Sequence, residues 1–127
     1  MSNVSELVVM CKEKKGYHIE AIMKLSLSTP PNEGETVLVV KIEGEDHTLG
    51  NSLRWIIMKN PDTEFCGYVV PHPSDHNIQM HIQTKSGVSA VSVLRKGLSD
   101  LQELAQHTRE TFEEAMTEYT ATDGMQE

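Results

Sequence analysis

Residues 45–61 read Glu45-Asp46-His47-Thr48-Leu49-Gly50-Asn51-Ser52-Leu53-Arg54-Trp55-Ile56-Ile57-Met58-Lys59-Asn60-Pro61, and the fold turns on how they are read. The stretch predicts a short helix. Asp46 or Thr48 supplies an acceptor for the free amides of the first turn. Pro61 prevents continuation, and Asn60 before it is pushed out of helical geometry. Leu49, Leu53, Ile56 and Ile57 fall at i, i+4, i+7 and i+8, one apolar stripe that must face a core. Two features exceed what a core helix needs. Gly50 costs roughly 1 kcal/mol against alanine in a helix, and beside the stripe it is expected to admit another backbone. Trp55 and Met58 project from the opposite side, so either the helix has a second surface to bury or Trp55 lies under a loop.

Outward from this helix the pattern is β. Upstream, Thr36-Val37-Leu38-Val39-Val40-Lys41-Ile42 is rich in β-branched residues and reads as a strand. Thr29-Pro30-Pro31-Asn32-Glu33-Gly34 is a breaker. Before it, Ile19, Ala21, Met23, Leu25 and Leu27 alternate; a strand that forms a hairpin with the next is preferred here over a helix. Downstream, Phe65-Cys66-Gly67-Tyr68-Val69-Val70 reads as a strand whose glycine marks a bulge or a close approach. After the turn Pro71-His72-Pro73-Ser74-Asp75, Ile78, Met80 and Ile82 alternate with Gln79, His81 and Gln83, a strand with one apolar face.

The C-terminal segment is a long helix. Val91, Leu94, Leu98, Leu101, Ala105, Thr108, Phe112, Ala115 and Tyr119 advance by three and four alternately, which is heptad spacing. Gly97 interrupts the run and Thr108 weakens it, which argues against an autonomous coiled coil. From Val88 to Tyr119 such a helix is roughly 48 Å long, against a radius of gyration of about 14 Å for a domain of this size. It overhangs its own domain, and Phe112 and Tyr119 need a second chain or remain wet. The expected fold is therefore α+β: two layers, a roughly four-stranded antiparallel sheet covered by a short central helix and a long C-terminal one. The expected divisions are a polar N-terminal tail over 1–16, one domain over 17–120 and a C-terminal tail over 121–127.

Charge and composition exclude several functions. The 127-residue chain has a net charge of −8, unsuited to gripping a phosphate backbone; the one basic cluster, Lys12-Glu13-Lys14-Lys15, reads as a solvated tail. No apolar run reaches the roughly 18 residues of a membrane span, and the N-terminus lacks the order of a secretory signal. Two cysteines, Cys11 and Cys66, fit a reducing intracellular compartment. His72, His76, Cys66 and His81 straddle a proline turn rather than sharing a helix face, so no metal site is expected. Asp46, His47 and Ser52 lack a nucleophile elbow and do not face one another on a helix. Glu110, Glu113, Glu114 and Glu118 read as a solvated face. What is left is an interaction protein with surplus apolar helix surface and no active site.

The string Glu45–Arg54 resembles the signature of the alpha-like subunits of RNA polymerases, the family that includes the bacterial alpha dimerisation domain, archaeal subunit L and the small eukaryotic alpha-like subunits. The resemblance continues through Met58-Lys59-Asn60-Pro61, Glu64-Phe65-Cys66-Gly67-Tyr68, Pro71-His72-Pro73-Ser74, Ile82-Gln83-Thr84 and Leu94-Arg95-Lys96-Gly97-Leu98, about residues 36–118 in all. Lys59-Asn60-Pro61 and Cys66-Gly67-Tyr68 are most similar to the small member shared by polymerases I and III; Asp75-His76 departs from the family's acidic pattern. The polymerase II and archaeal counterparts are the near alternative. From another class, a self-associating regulatory domain would need a basic patch or an extra module that the sequence does not show.

The resemblance implies a non-catalytic assembly subunit without cofactor or metal. It implies pairing with the larger alpha-like subunit as a platform for the two largest subunits, alongside other small polymerase subunits, in the nucleus and nucleolus. Contact with nucleic acid or membrane is not expected. The genes served would be those for the ribosomal RNA precursor, 5S RNA and tRNA. It places His47, Leu49, Gly50, Asn51, Leu53, Arg54 and Ile57 at or beside the dimer interface, extended along the long helix by Leu94, Leu98, Leu101, Ala105 and Phe112.

Overall fold

The structure, a computed structural model, describes residues 25–30 and 34–124. Strand β1 (Leu25–Ser28) is followed by a 3-10 turn (Gly34–Thr36), β2 (Val37–Glu43), helix α1 (His47–Met58), β3 (Thr63–Val69), β4 (Asn77–Thr84) and helix α2 (Ala90–Asp123). The expected tail over 1–16 and the expected strand N-terminal to Leu25 lie outside the described residues. Helix α2 runs three residues past the expected domain boundary at 120.

The four strands form one antiparallel sheet in the order β1-β2-β4-β3. Because β2 and β3 each run antiparallel to β4, they are parallel to each other, and α1 carries the chain between them across the sheet. Register builds the core directly. Leu27 pairs with Val40, Val40 with Met80 and Met80 with Tyr68; Leu38 pairs with Ile82, and Ile82 with Cys66. Side chains alternate in a strand, so these residues share the inner face. Leu38, Val40, Ile42, Ile78, Met80 and Ile82 are all buried there. On the outer face Lys41, His81, Gln83, Phe65 and Val69 are exposed. Cys66 and His81 thus point to opposite sides of the sheet.

Helix α1 begins at Asp46, whose carboxylate accepts the Thr48 N–H at 2.8 Å. That bond holds the Asp46 carboxyl below the usual carboxylate range. At the far end the Lys59 N–H reaches the Ile56 and Ile57 carbonyls, and the Thr63 hydroxyl donates to Ile57 O at 2.9 Å. Leu53 and Ile57 are fully buried, with Leu49 and Ile56 packed beside them. Thr84, a buried polar residue, donates to Val88 O at 2.6 Å and lies 3.2 Å from Thr36 O. It ties the end of β4 to the approach of α2.

Each helical glycine has a steric reason. At Gly50 no second backbone arrives, contrary to expectation: a Cβ there would lie 2.7 Å from the Tyr68 ring. The ring is held across α1 by a 2.8 Å hydrogen bond between its hydroxyl and His47 Nδ1. Gly97 is the point where α2 crosses α1, since a Cβ there would lie 2.5 Å from Ile57 Cγ1. In β3, Gly67 lies under the Phe65 ring, and the irregular register falls between Thr63 and Phe65 rather than at the glycine.

Burial pushes the Cys66 thiol up to about 11, against the smaller opposing pull of Arg54. An unfolded thiol ionises near pH 8.5. Between these values the unfolded chain loses a proton that the native chain keeps, so stability falls as pH rises through this window. The urea midpoint is expected to drop between about pH 8.5 and about 11, and the drop is expected to be smaller in Cys66→Ala.

Candidate functional site

Helix α1 divides its surface between three neighbours. Gly50, Leu53 and Ile57 face the core. His47 leans toward β3, its ring edge-on to Tyr68 with centroids 5.6 Å apart. Thr48, Asn51, Ser52 and Trp55 line a groove of about 450 Å³, closed on its other side by Leu101 and Leu104 of α2. Trp55 is 52% exposed in this groove, and the Lys59 ammonium sits 4.8 Å from its ring centroid, a cation–π contact that orients the indole.

Helix α2 continues the groove outward. Ala90, Val93, Leu94 and Gly97 are buried against the domain, and Val91, Leu98 and Leu101 are partly covered. From Gln102 to Gly124 every residue is exposed. At 1.5 Å per residue this projecting part is roughly 34 Å long. It is not uniformly polar: Leu104, Phe112, Met116 and Tyr119 stand in water, Phe112 64% exposed and Tyr119 63%. Spaced by eight, four and three, they occupy one side of the helix. The Thr108, Thr111, Thr117, Thr120 and Thr122 hydroxyls donate to carbonyls four residues back, a habit that does little for an isolated helix.

The expected interface residues fall into two groups. His47, Asn51, Arg54, Ala105 and Phe112 are exposed, and Leu49, Leu98 and Leu101 are half-buried, Leu101 in the wall of the groove. Gly50, Leu53, Ile57 and Leu94 are covered by the chain's own sheet and helices, so they set the position of the two helices. Along the groove and the projecting part of α2, the exposed apolar residues Trp55, Leu104, Met116 and Tyr119 stand outside the expected set. Trp55 and Tyr119 had a legible signal, an aromatic off the core stripe and a heptad position; Leu104 and Met116 lie beside the heptad seam.

The chemistry-bearing residues near α1 are engaged separately. Asp46 caps the helix, His47 bonds Tyr68, and the Ser52 hydroxyl donates to Thr48 O at 2.6 Å. Among the described residues no three of His, Cys, Asp and Glu gather at metal-binding distance. The arrangement offers helical surface: a groove with a central Trp leading into a projecting apolar seam.

Comparison with known proteins agrees with that geometry. The family described as the RNA polymerase Rpb3/Rpb11 dimerisation domain matches residues 37–111, the segment from β2 to the middle of the projection. A protein of Schizosaccharomyces pombe named DNA-directed RNA polymerases I and III subunit RPAC2 is 52% identical over 87 residues, 68% of this chain and 70% of that protein. The Saccharomyces cerevisiae protein of the same name is 48% identical over 88 residues, 69% of this chain and 62% of its own length. The Drosophila melanogaster one is 40% identical over 101 residues, 80% of this chain and 93% of that protein. RNA polymerase subunit L of Thermoplasma acidophilum shares the fold, with a TM-score of 0.65 at 22% identity over 80% of this chain and 96% of that one. The chain belongs to the family of RNA polymerase subunits built on the Rpb3/Rpb11 dimerisation domain.

Proposed function

We propose that this chain is the small, non-catalytic alpha-like subunit shared by RNA polymerases I and III, and that it acts by forming a heterodimer with the larger alpha-like subunit. One observation carries the reading: a helix of 34 residues of which the last 22, from Gln102, touch water while displaying large apolar side chains. Burial of such side chains is worth about 1.5–3 kcal/mol each, and a second helical chain is what a seam of this length fits. The names of the relatives, RNA polymerase I and III subunits at 40–52% identity, support the choice of complex. In this reading the heterodimer is the platform on which the two largest subunits and other small subunits assemble. It works in the nucleus, including the nucleolus, for transcription of the ribosomal RNA precursor, 5S RNA and tRNA genes.

The direct test is affinity purification of the tagged chain, with identification of the proteins retained. Recovery of the larger alpha-like subunit and the two largest polymerase I and III subunits is the expected result; recovery of the polymerase II large subunits instead would move the chain to that enzyme. Trp55→Ala is expected to weaken pairing by about 2 kcal/mol, roughly 30-fold, as truncation of a central interface aromatic does. The melting temperature of the chain alone should barely move, because the indole is half exposed. Titration of the purified chain with its partner reads the loss.

A further inference from the structure

The end of α2 carries a second pattern, most of it beyond the dimerisation-domain match that ends at 111. Residues 110–124 contain Glu110, Glu113, Glu114, Glu118 and Asp123, and neither Lys nor Arg. Phe112, Met116 and Tyr119 form the apolar seam of the same turns, all exposed. Glu113 follows Phe112 and Glu118 precedes Tyr119, so each stands about 100° round the helix from its aromatic neighbour, one on either side of the seam. Glu110 and Glu114 lie further round. In the heptad that has Phe112 and Tyr119 at the first core position, Glu118 takes one flanking position and Met116 and Asp123 the other, both facing a partner helix, and Glu113 stands one position further out. The seam is continuous with the Trp55 groove through Leu101 and Leu104.

We infer that Glu113, Glu118 and Asp123 make the last turns of α2 a selector, which accepts a helix of the larger alpha-like partner bearing an apolar seam with Lys or Arg at its rims and rejects a second copy of this chain. This rests on the heterodimer reading above. Two copies paired in parallel along the seam would set Glu118 of one against Asp123 of the other in both directions, with no cation in these turns to offset them. Like charges at such positions select against self-pairing. The apolar residues supply attraction that either partner could use; the carboxylates decide which partner does.

The test uses the full chain and its larger alpha-like partner. Pairing is measured by titration, and self-association by sedimentation, between about 0.01 M and about 1 M salt, where the Debye length falls from about 30 Å to about 3 Å. The wild-type chain is expected to pair more weakly as salt rises and to stay monomeric at low salt. Glu113→Lys/Glu118→Lys/Asp123→Lys is expected to pair at least about tenfold more weakly at low salt, with the difference shrinking at high salt. The corresponding Gln/Gln/Asn variant should fall between them, with helix content unchanged by circular dichroism. Equal affinity of the wild-type and lysine variants at both salts would overturn the selector, as would wild-type self-association at low salt. Phe112→Ser separates the two layers of argument: if it abolishes pairing while the charge variants do not, only the selector fails. If neither matters, the seam is not the pairing surface and the heterodimer reading of α2 fails with it.

Discussion

Gly97→Leu is expected to destabilise the domain by more than about 3 kcal/mol, a large share of the roughly 5–15 kcal/mol that holds a domain together. The reason is position. Even the first carbon of a side chain at 97 would stand 2.5 Å from Ile57 Cγ1, with Ile57 Cδ1 at 3.3 Å and Leu53 Cδ1 at 3.7 Å. Ile57 Cγ1 is close to its own backbone and cannot swing aside, so α1 and α2 must separate. Gly97→Ala sets two effects against each other. Alanine gains about 1 kcal/mol of helix propensity, while overpacking costs typically 1–3 kcal/mol. The steric effect should win, because the contact is inside the distance that real Cβ atoms tolerate. Urea denaturation measures both variants. Pairing either with Ile57→Ala should recover much of the loss, since the two positions share one contact. Stabilisation by Gly97→Ala alone would mean that the helix crossing is looser than its geometry implies.

Ending the chain after Leu104 is expected to leave the domain folded and to abolish pairing. Residues 105–124 are all exposed, so their removal deletes no core contact. The urea midpoint should shift by less than the equivalent of about 1 kcal/mol, in the range of surface changes. Far-UV helix signal should fall, because most of α2 is lost. Pairing loses Phe112, Met116 and Tyr119 together. At about 1.5–3 kcal/mol for each buried side chain, affinity should drop by well over 100-fold. Co-expression with the larger alpha-like subunit followed by capture reads the result directly. The same experiment separates two views of α2. A shortened chain that no longer folds would mean that the projecting part supports the domain rather than a partner.

Local patterns made much of this legible. Alternation over Ile78–Ile82 sets one apolar face, and strand register then places it in the core, because a strand has only two faces. Asp46 and Pro61 bracket α1 whatever its surroundings. The length of α2 against the size of a domain is arithmetic, and it forecast an overhang that exists. Residues buried inside the chain were harder to tell from residues left exposed. Leu53, Ile57 and Leu94 are as apolar as Leu104 and Phe112, and nothing in their spacing says which side of the helix the sheet occupies.

The glycines mark the same boundary most clearly. A hydropathy pattern counts Gly97 as a break in the heptads of α2, yet it is where α2 packs on Ile57 and Leu53 of α1. The buried residues there, Ala90, Val93, Leu94 and Gly97, are turned by roughly 60° from the heptad seam that runs on to Tyr119. Sequence alone determined the order of the described elements, the cap and stop of α1, the α+β class and the excess of helical surface, because these follow from propensity, capping and period, all local. Tertiary structure decided which face of each helix the sheet covers, that Tyr68 and not a second backbone fills the space at Gly50, and that Trp55 shares a groove with Leu101. Those are distances between segments far apart in the chain, and no local period encodes them.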